Sequence, residues 1–352
     1  MSRLLTIGSV QLSSPFVQAA LSGYSDWAMR LIARRHGAGY TLCEVLLDQF
    51  LVALKGRQRT RHVLHLTEED HPVGGQLMGA EPDQFAAGAA KLVEAGFDVI
   101  DINFGCPVKK VLGRCRGGFH LSQPETALAI IRRTRAIVPA EIPLTVKMRR
   151  GIDDTAESRD KFFTILDGAF AAGVDAITVH GRTVVQRYVG PSRWEFLREV
   201  KQHVGNRTIL GSGDLFTPES CLAMMRETGV DGVTIARGAI GNPWIFAQAR
   251  ALAAGGPLPA PPSVYEQRAV LSEHYALAAE LYGEPRCGPL MRKFGIKYAA
   301  VHPEGEQVRD AFIRIRCLAD WNAALDRWYG DDWPGIYPDP ARHNSQEECG
   351  AA

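Results

Sequence analysis

Short apolar runs alternate with amphipathic stretches along most of the chain. Strand-like runs cover Phe16–Leu21, Tyr40–Val45, Pro72–Met78, Asp98–Asn103, Leu144–Met148, Asp175–His180, Thr208–Gly211 and Gly232–Ala236. Helical spacing of apolar positions falls on Asp26–Arg35, a run from Leu47, Pro82–Ala95, Pro124–Val138, Ser158–Ala172, Trp194–His203, Pro218–Glu227 and Pro243–Ala254. Pro82 stands at a favoured first helical position. Gly96, Gly173 and Gly229 close helices, as a residue able to turn left-handed does. Ahead of this series, residues 4–12 read as a hairpin with a Gly8-Ser9 turn.

Each strand is followed by a helix, and the units fill roughly the 250 residues of an α/β (β/α)8 TIM barrel. The near-continuous apolar strands fit a parallel sheet covered by helices. A doubly wound sheet is the other architecture, but no GxGxxG follows the first strand. The pattern predicts a barrel over residues 1–254 and a Gly/Pro-rich linker over 255–262. A small helical bundle is expected over 263–330, with helical spacing at Val264–Tyr282, Leu290–Val301 and Gln307–Trp328. An irregular tail, 331–352, follows.

Composition narrows the picture. Of 352 residues 46% are hydrophobic and 22% charged, the balance of a soluble globular protein. No stretch is long and apolar enough to span a bilayer, so no membrane partner is expected. The seven cysteines are scattered and no pair has CxxC spacing, which argues against a disulfide framework and a metal knuckle and for a cytoplasmic location. A monomer without metal is the expectation. The net charge of +1 neither implies nor excludes a nucleic-acid partner, because a basic patch can hide in a neutral total.

Candidate chemistry gathers at the carboxyl ends of the strands, which a barrel turns to one face. These ends carry Gln76, Asn103, Cys106, Lys147, Arg149, His180, Arg182, Ser212-Gly213-Asp214 and Ala236-Arg237. The two small, glycine-containing loops after strands seven and eight match the recurrent phosphate site of barrels, and Arg237 offers a bidentate charge contact. Together they point to a phosphorylated cofactor. His180 fits a neutral hydrogen-bond donor, a general acid or a satisfied half-buried histidine. Lys147 fits a partner of a phosphate or electron-rich ring, or a salt-bridged lysine. Gln76 ends an apolar strand, where its amide needs partners that a flat heterocycle edge would supply. Cys106 lies between Gly105 and Pro107, where strand yields to loop, with Lys109 and Lys110 close behind. A free cysteine is more often a small buried filler.

The stretch Asp101-Ile102-Asn103-Phe104-Gly105-Cys106-Pro107-Val108-Lys109-Lys110-Val111 closely resembles the signature of the tRNA-dihydrouridine synthases, most of all the bacterial B type. Ser22-Gly23-Tyr24-Ser25-Asp26, Val179-His180-Gly181-Arg182-Thr183 with Gln186, Tyr188 and Gly190, and Gly241-Asn242-Pro243-Trp244-Ile245-Phe246 extend the resemblance over nearly the whole chain. It implies an FMN enzyme, reduced by NADPH, that reduces a uridine of the tRNA D-loop, with a C-terminal helical domain that binds tRNA. Carried over, Cys106 is the acid that protonates C5. Gln76, Lys147 and His180 contact FMN, with the loops Ala20-Leu21-Ser22, Ser212-Gly213-Asp214 and Ala236-Arg237. Asn103 and Arg182 face the substrate, and Lys109, Lys110, Arg292 and Lys293 hold tRNA phosphates. The chain departs from the family pattern at Ala20-Leu21, at Arg114–His120, at Ser212 and at Ala236. Two other readings stand beside this one. The helical region argues against a flavin barrel acting on a small pyrimidine or enone. Cys106, Lys147 and His180 argue against a non-catalytic tRNA binder.

Overall fold

The computed structural model describes residues 5–54 and 62–341. The chain opens with an antiparallel hairpin, β1 (Thr6–Ile7) and β2 (Val10–Gln11). Leu4 of the expected hairpin and residues 342–352 of the expected tail lie outside the described residues. The barrel strands are β3 (Phe16–Gln18), β4 (Tyr40–Leu42), β6 (Val73–Met78), β7 (Val99–Phe104), β8 (Leu144–Arg149), β9 (Ala176–His180), β10 (Thr208–Ser212) and β11 (Gly232–Ile235), with the short β5 (Leu46–Leu47) beside β6. Each is parallel to its neighbours. Pairing of β4 with β6 and of β11 with β3 closes the ring, so the eight-strand barrel read from the alternation is the fold observed.

Helices α1 (Trp27–Arg35), α2 (Asp48–Val52), α3 (Pro82–Ala95), α4 (Lys109–Leu112), α5 (Pro124–Ile137), α6 (Ala156–Ala171), α7 (Trp194–Val204), α8 (Pro218–Thr228) and α9 (Trp244–Ala253) follow the strands. Local chemistry sets several of their ends. The Asp26 carboxylate accepts the Met29 N–H, Thr217 and Ser220 form a capping box, and Gly96 and Gly229 turn left-handed. Strand two departs from the expected Tyr40–Val45 run. It stops at Leu42 and pairs again only at Leu46–Leu47, further along β6.

Period-2 alternation divides the strand residues between two cores. Ile100, Ile102, Phe104, Val146, Met148, Ile177, Val179 and Val233 join the layer under the helices. Val17, Tyr40, Leu42, Val99, Ala176 and Leu210 face inward, where Leu5, Ile7 and Leu12 of the hairpin segment close the amino end of the barrel.

After the linker come α10 (Val264–Tyr282), α11 (Glu284–Tyr298), α12 (Gly305–Ile313) and α13 (Leu318–Trp328). Helix α11 begins six residues before the expected Leu290 and runs through Pro289, because buried Cys287, Met291 and Phe294 hold it in place. The expected single helix 307–328 is two. The Arg316 N–H donates to the Asp320 carboxylate at 2.8 Å, which starts α13 afresh, and Ile315 is buried at the break.

The helical region is seated on α1. Trp27, Leu31 and Leu281 share a cluster, the Tyr282 hydroxyl donates to Asp26 at 3.0 Å, and Arg35 pairs with Glu273. Beneath this contact Arg30 and Asp70, 3% and 0% exposed, form a bidentate ion pair. A second guanidinium bond reaches the His65 carbonyl at 3.0 Å. Asp70→Ala would strand the Arg30 charge among apolar groups, so we expect a stability loss of about 3–5 kcal/mol, read as a lower midpoint in urea unfolding followed by circular dichroism.

Candidate active site at the carboxyl ends of the strands

The alternation that sends Ile100, Ile102 and Phe104 outward turns Asp101 and Asn103 into the barrel. The same rule turns Thr145, Lys147 and Arg149 inward from β8, Thr178 and His180 from β9, and Ser212 from β10. The register then sets their heights. Gln76 stands level with Asp101, and Asp101 with Thr145. Asn103 is level with Lys147, and Lys147 with Thr178. Arg149 is level with His180, and His180 with Ser212. Most strand-end residues singled out in the sequence therefore share one mouth.

Hydrogen bonds link the lower layer to Cys106. The Thr145 hydroxyl and the Gln76 amide donate to the Asp101 carboxylate at 2.5 and 2.6 Å. Asn103 donates to Gln76 Oε1 at 2.7 Å. The Asn103 oxygen then accepts the N–H groups of Gly105 and Cys106 at 3.0 and 3.1 Å. Gln76 thus finds protein partners at both ends of its amide, and one N–H remains for a ligand. Burial pushes the Asp101 carboxyl above its ordinary range, against the bonds from Thr145 and Gln76.

The Cys106 thiol is half-buried, and burial raises its pKa from 9.0, so it keeps its proton through neutral pH. The segment Arg114–His120 folds back onto it. The Gly118 N–H donates to the Cys106 carbonyl at 3.0 Å. A β-carbon on Gly117, whose φ is +59°, would lie 2.8 Å from that of Cys106. The Arg116 guanidinium is buried and donates to Gln49 at 2.8 Å, and His120 bonds the Gly79 carbonyl at 2.9 Å. Sequence reasoning marked this segment as unusual without seeing that it forms the floor under Cys106.

The upper layer is cationic. Lys147, Arg149, Arg182 and Arg237 all bear on His180, whose pKa falls well below 6.5, first through burial and then through these charges. This direction favours the neutral imidazole, and with it the reading of His180 as a neutral hydrogen-bond donor. Burial, reinforced by Arg149, lowers Lys147 to about 8. Burial likewise lowers Arg149 to about 10, with Arg182 and Arg237 adding to the effect. Arg149 is fixed by the carbonyls of Gly105, Thr183 and Arg187 at 2.9, 2.8 and 2.6 Å. Its guanidinium and that of Arg237 both lie over the Tyr188 ring, at 5.5 and 4.8 Å.

The loops after β10 and β11 meet as expected. Gly213 has φ +113°, and a β-carbon there would sit 2.8 Å from His180 Nε2, so the backbone approaches the imidazole as only glycine permits. Asp214 accepts from Arg182 at 2.9 Å and from the Ser192 N–H at 2.7 Å. Arg182 is 2% exposed and also donates to the Gly190 carbonyl. Both residues brace the mouth. Ser212 is buried in β10, and Ala236 precedes the short turn Arg237–Ala239. In the first loop Ala20 and Leu21 are partly buried and Ser22 is exposed. The Leu21 N–H is held by Ser25 Oγ at 2.8 Å.

The basic residues outside the strands divide. Lys109 and Lys110 are exposed on α4, and Arg292 is exposed on α11. Lys293 instead donates to the Gly23 carbonyl and lies over the Tyr24 ring, 5.1 Å away, tying α11 to the first loop. Among the described residues no group of three or more His, Cys, Asp or Glu side chains could hold a metal, and no helix is long and apolar enough to cross a membrane.

Comparison with known proteins places this geometry. In overall fold the chain is similar to histamine dehydrogenase from Rhizobium sp. 4-9, with TM-score 0.55 and 13% identity over 72% of this chain and 48% of that one. It is also similar to an old yellow enzyme homologue from Zymomonas mobilis, with TM-score 0.52 and 13% identity over 73% of this chain and 93% of that one. In sequence it is 34% identical over 342 residues to a Mycobacterium tuberculosis protein named "Probable tRNA-dihydrouridine synthase", covering 94% of this chain and 86% of the relative. It is 32% identical over 328 residues to tRNA-dihydrouridine synthase B of Xanthomonas axonopodis pv. citri, covering 93% and 96%. The dihydrouridine synthase family model matches residues 17–327, and the chain belongs to that family.

Proposed function

We propose that this protein reduces a uridine of the tRNA D-loop to 5,6-dihydrouridine, with FMN as flavin, NADPH as reductant and Cys106 as proton donor. Membership of the dihydrouridine synthase family makes it a flavin-dependent oxidoreductase of tRNA. The observation that carries the finer reading is a thiol held by its backbone at the rim of a cationic barrel mouth, where burial favours the protonated form.

The donor set fits a flavin phosphate. Lys147 forms no salt bridge within 4 Å among the described residues, and although Asp101 favours its charge, burial and Arg149 outweigh that help, so a bound anion would stabilise it. Neutral His180 is suited to donate to a ring oxygen or nitrogen. The Ser212-Gly213-Asp214 and Ala236-Arg237 loops supply backbone N–H groups and one guanidinium. The loop Ala20-Leu21-Ser22 and the free N–H of Gln76 border the same space. When bound, FMN supplies a hydride to C6 of the uracil and is regenerated by NADPH. Cys106 gives its proton to C5 from the opposite face, which requires an approach to within about 3 Å. Asn103 stands beside it to orient the uracil. A uridine reaches this depth only by leaving its stack.

Lys109, Lys110 and Arg292 are positioned to meet tRNA phosphates. Lys293 and Arg182 support that surface from behind, Lys293 through the first loop and Arg182 through Asp214. We assign residues 263–330 to tRNA binding, with 255–262 as the linker from the barrel.

Mapping dihydrouridine in tRNA from cells lacking this protein tests the function. One or more D-loop sites should revert to uridine, and an unchanged map in cells with no second such enzyme refutes it. Cys106→Ala should keep its flavin, seen as an unaltered visible spectrum, while single-turnover uridine reduction slows by about 100-fold or more. Lys147 carries charge below about 8 and loses it above. Flavin affinity of the stripped protein, followed by fluorescence quenching, should therefore weaken as pH rises from 7 to 9.5, by about tenfold if one charge contact is lost. The Lys147→Met variant should bind weakly at every pH in that range.

A further inference from the structure

The buried Asp101 carboxylate takes no part in the chemistry set out above, yet it ends a hydrogen-bond chain whose other end is the Cys106 amide. A carboxylate only accepts, and a backbone N–H only donates. Between these fixed ends stand two carboxamides that could each face either way. With Asp101 ionised, the distances allow one consistent arrangement. Gln76 turns its N–H to Asp101 at 2.6 Å, so its oxygen accepts from Asn103 at 2.7 Å. Asn103 must then offer its own oxygen to Gly105 and Cys106 at 3.0 and 3.1 Å. With Asn103 reversed, its NH2 would confront two N–H donors, and the loop bearing the thiol would have to shift.

We propose that Asp101 is a positioning residue for the proton donor: it supplies the acceptor end that orients Gln76 and Asn103, and through them sets the backbone of Cys106. The inference rests on the reading of Cys106 as that donor. The acceptor end of the chain is insulated from water, with Asp101 and Gln76 at 2% and 1% exposure, while Asn103 is half-buried, so solvent does not replace a missing acceptor beside Gln76. Thr145 bonds the other carboxylate oxygen, at 2.5 Å, and lies outside the path to Cys106. Backbone pairing of β6, β7 and β8 runs past these residues independently of their side chains.

The test uses the purified, flavin-loaded full chain and the variants Asp101→Leu, Asp101→Asn and Thr145→Val. Four quantities are read: the flavin spectrum, kcat and KM on tRNA lacking dihydrouridine, and the iodoacetamide alkylation rate of Cys106 by peptide mass mapping. Asp101→Leu removes the acceptor. It should hold flavin and KM within about threefold, lower kcat by about 30-fold or more and change Cys106 alkylation by about fivefold. Asp101→Asn can still turn an oxygen to Gln76 and should recover to within about fivefold of wild type, with Thr145→Val within about threefold. Wild-type kcat and alkylation in Asp101→Leu overturn the proposal. So do equal losses in all three variants, which would mark a packing defect. If leucine prevents folding, Asp101→Val carries the same comparison. A wild-type protein that makes no dihydrouridine sinks the functional reading instead, while alkylation still decides whether Asp101 governs Cys106.

Discussion

Closure of the parallel sheet is the constraint on which everything else depends. Once β4 pairs with β6 and β11 with β3, none of the eight barrel strands has a free edge, and each of their residues faces either the helices or the barrel interior. The outward set is aliphatic and aromatic and forms the larger core. The inward set changes character along the axis. At the amino end it is apolar and sealed by the hairpin segment, and towards the carboxyl end it becomes Asp101, Asn103, Lys147, Arg149 and His180. The interior is thus a packed plug below and a polar cup above.

The cup concentrates positive charge. Lys147, Arg149, Arg182 and Arg237 bear on one buried imidazole, while Asp214 is the carboxylate that Arg182 and Arg237 share there. Such crowding adds to burial, the larger cause, in holding the pKa values of Lys147, Arg149 and His180 below their ordinary ranges. Carbonyls of neighbouring loops offset part of the cost by accepting from Arg149 and Arg182. The same concentration of positive charge is what the proposed binding of a flavin phosphate draws on.

Cys106 is held from two sides by backbone. Asn103 fixes its N–H from inside the barrel, and Gly118 fixes its carbonyl from the segment that folds over it. For the thiol itself burial outweighs the help that the Val108 N–H and Arg149 give the thiolate. That is the opposite of an activated nucleophile, whose thiolate must be favoured. It is compatible with the proposed role of proton donor.

The alternation of apolar runs and helical stretches determined the barrel. Eight units at regular spacing leave little choice of architecture, and strand period alone sends Asp101, Asn103, Lys147 and His180 to one interior. The signature around Cys106 carried the family. What the sequence left open depends on distance between segments remote along the chain. The run of α11 through Pro289 follows from the burial of Cys287, Met291 and Phe294, and the two segments of strand two are seen only in their pairing along β6. Lys293 reads as a surface cation until α11 brings it to Gly23, and Arg182 as a ligand contact until β10 brings Asp214 beside it. Asp101 reads as an interruption in a strand until Gln76 and Thr145 meet it. Local periodicity fixes which face a side chain takes. Only tertiary packing sets which donor meets which acceptor, because those bonds form between strands that the sequence separates by dozens of residues.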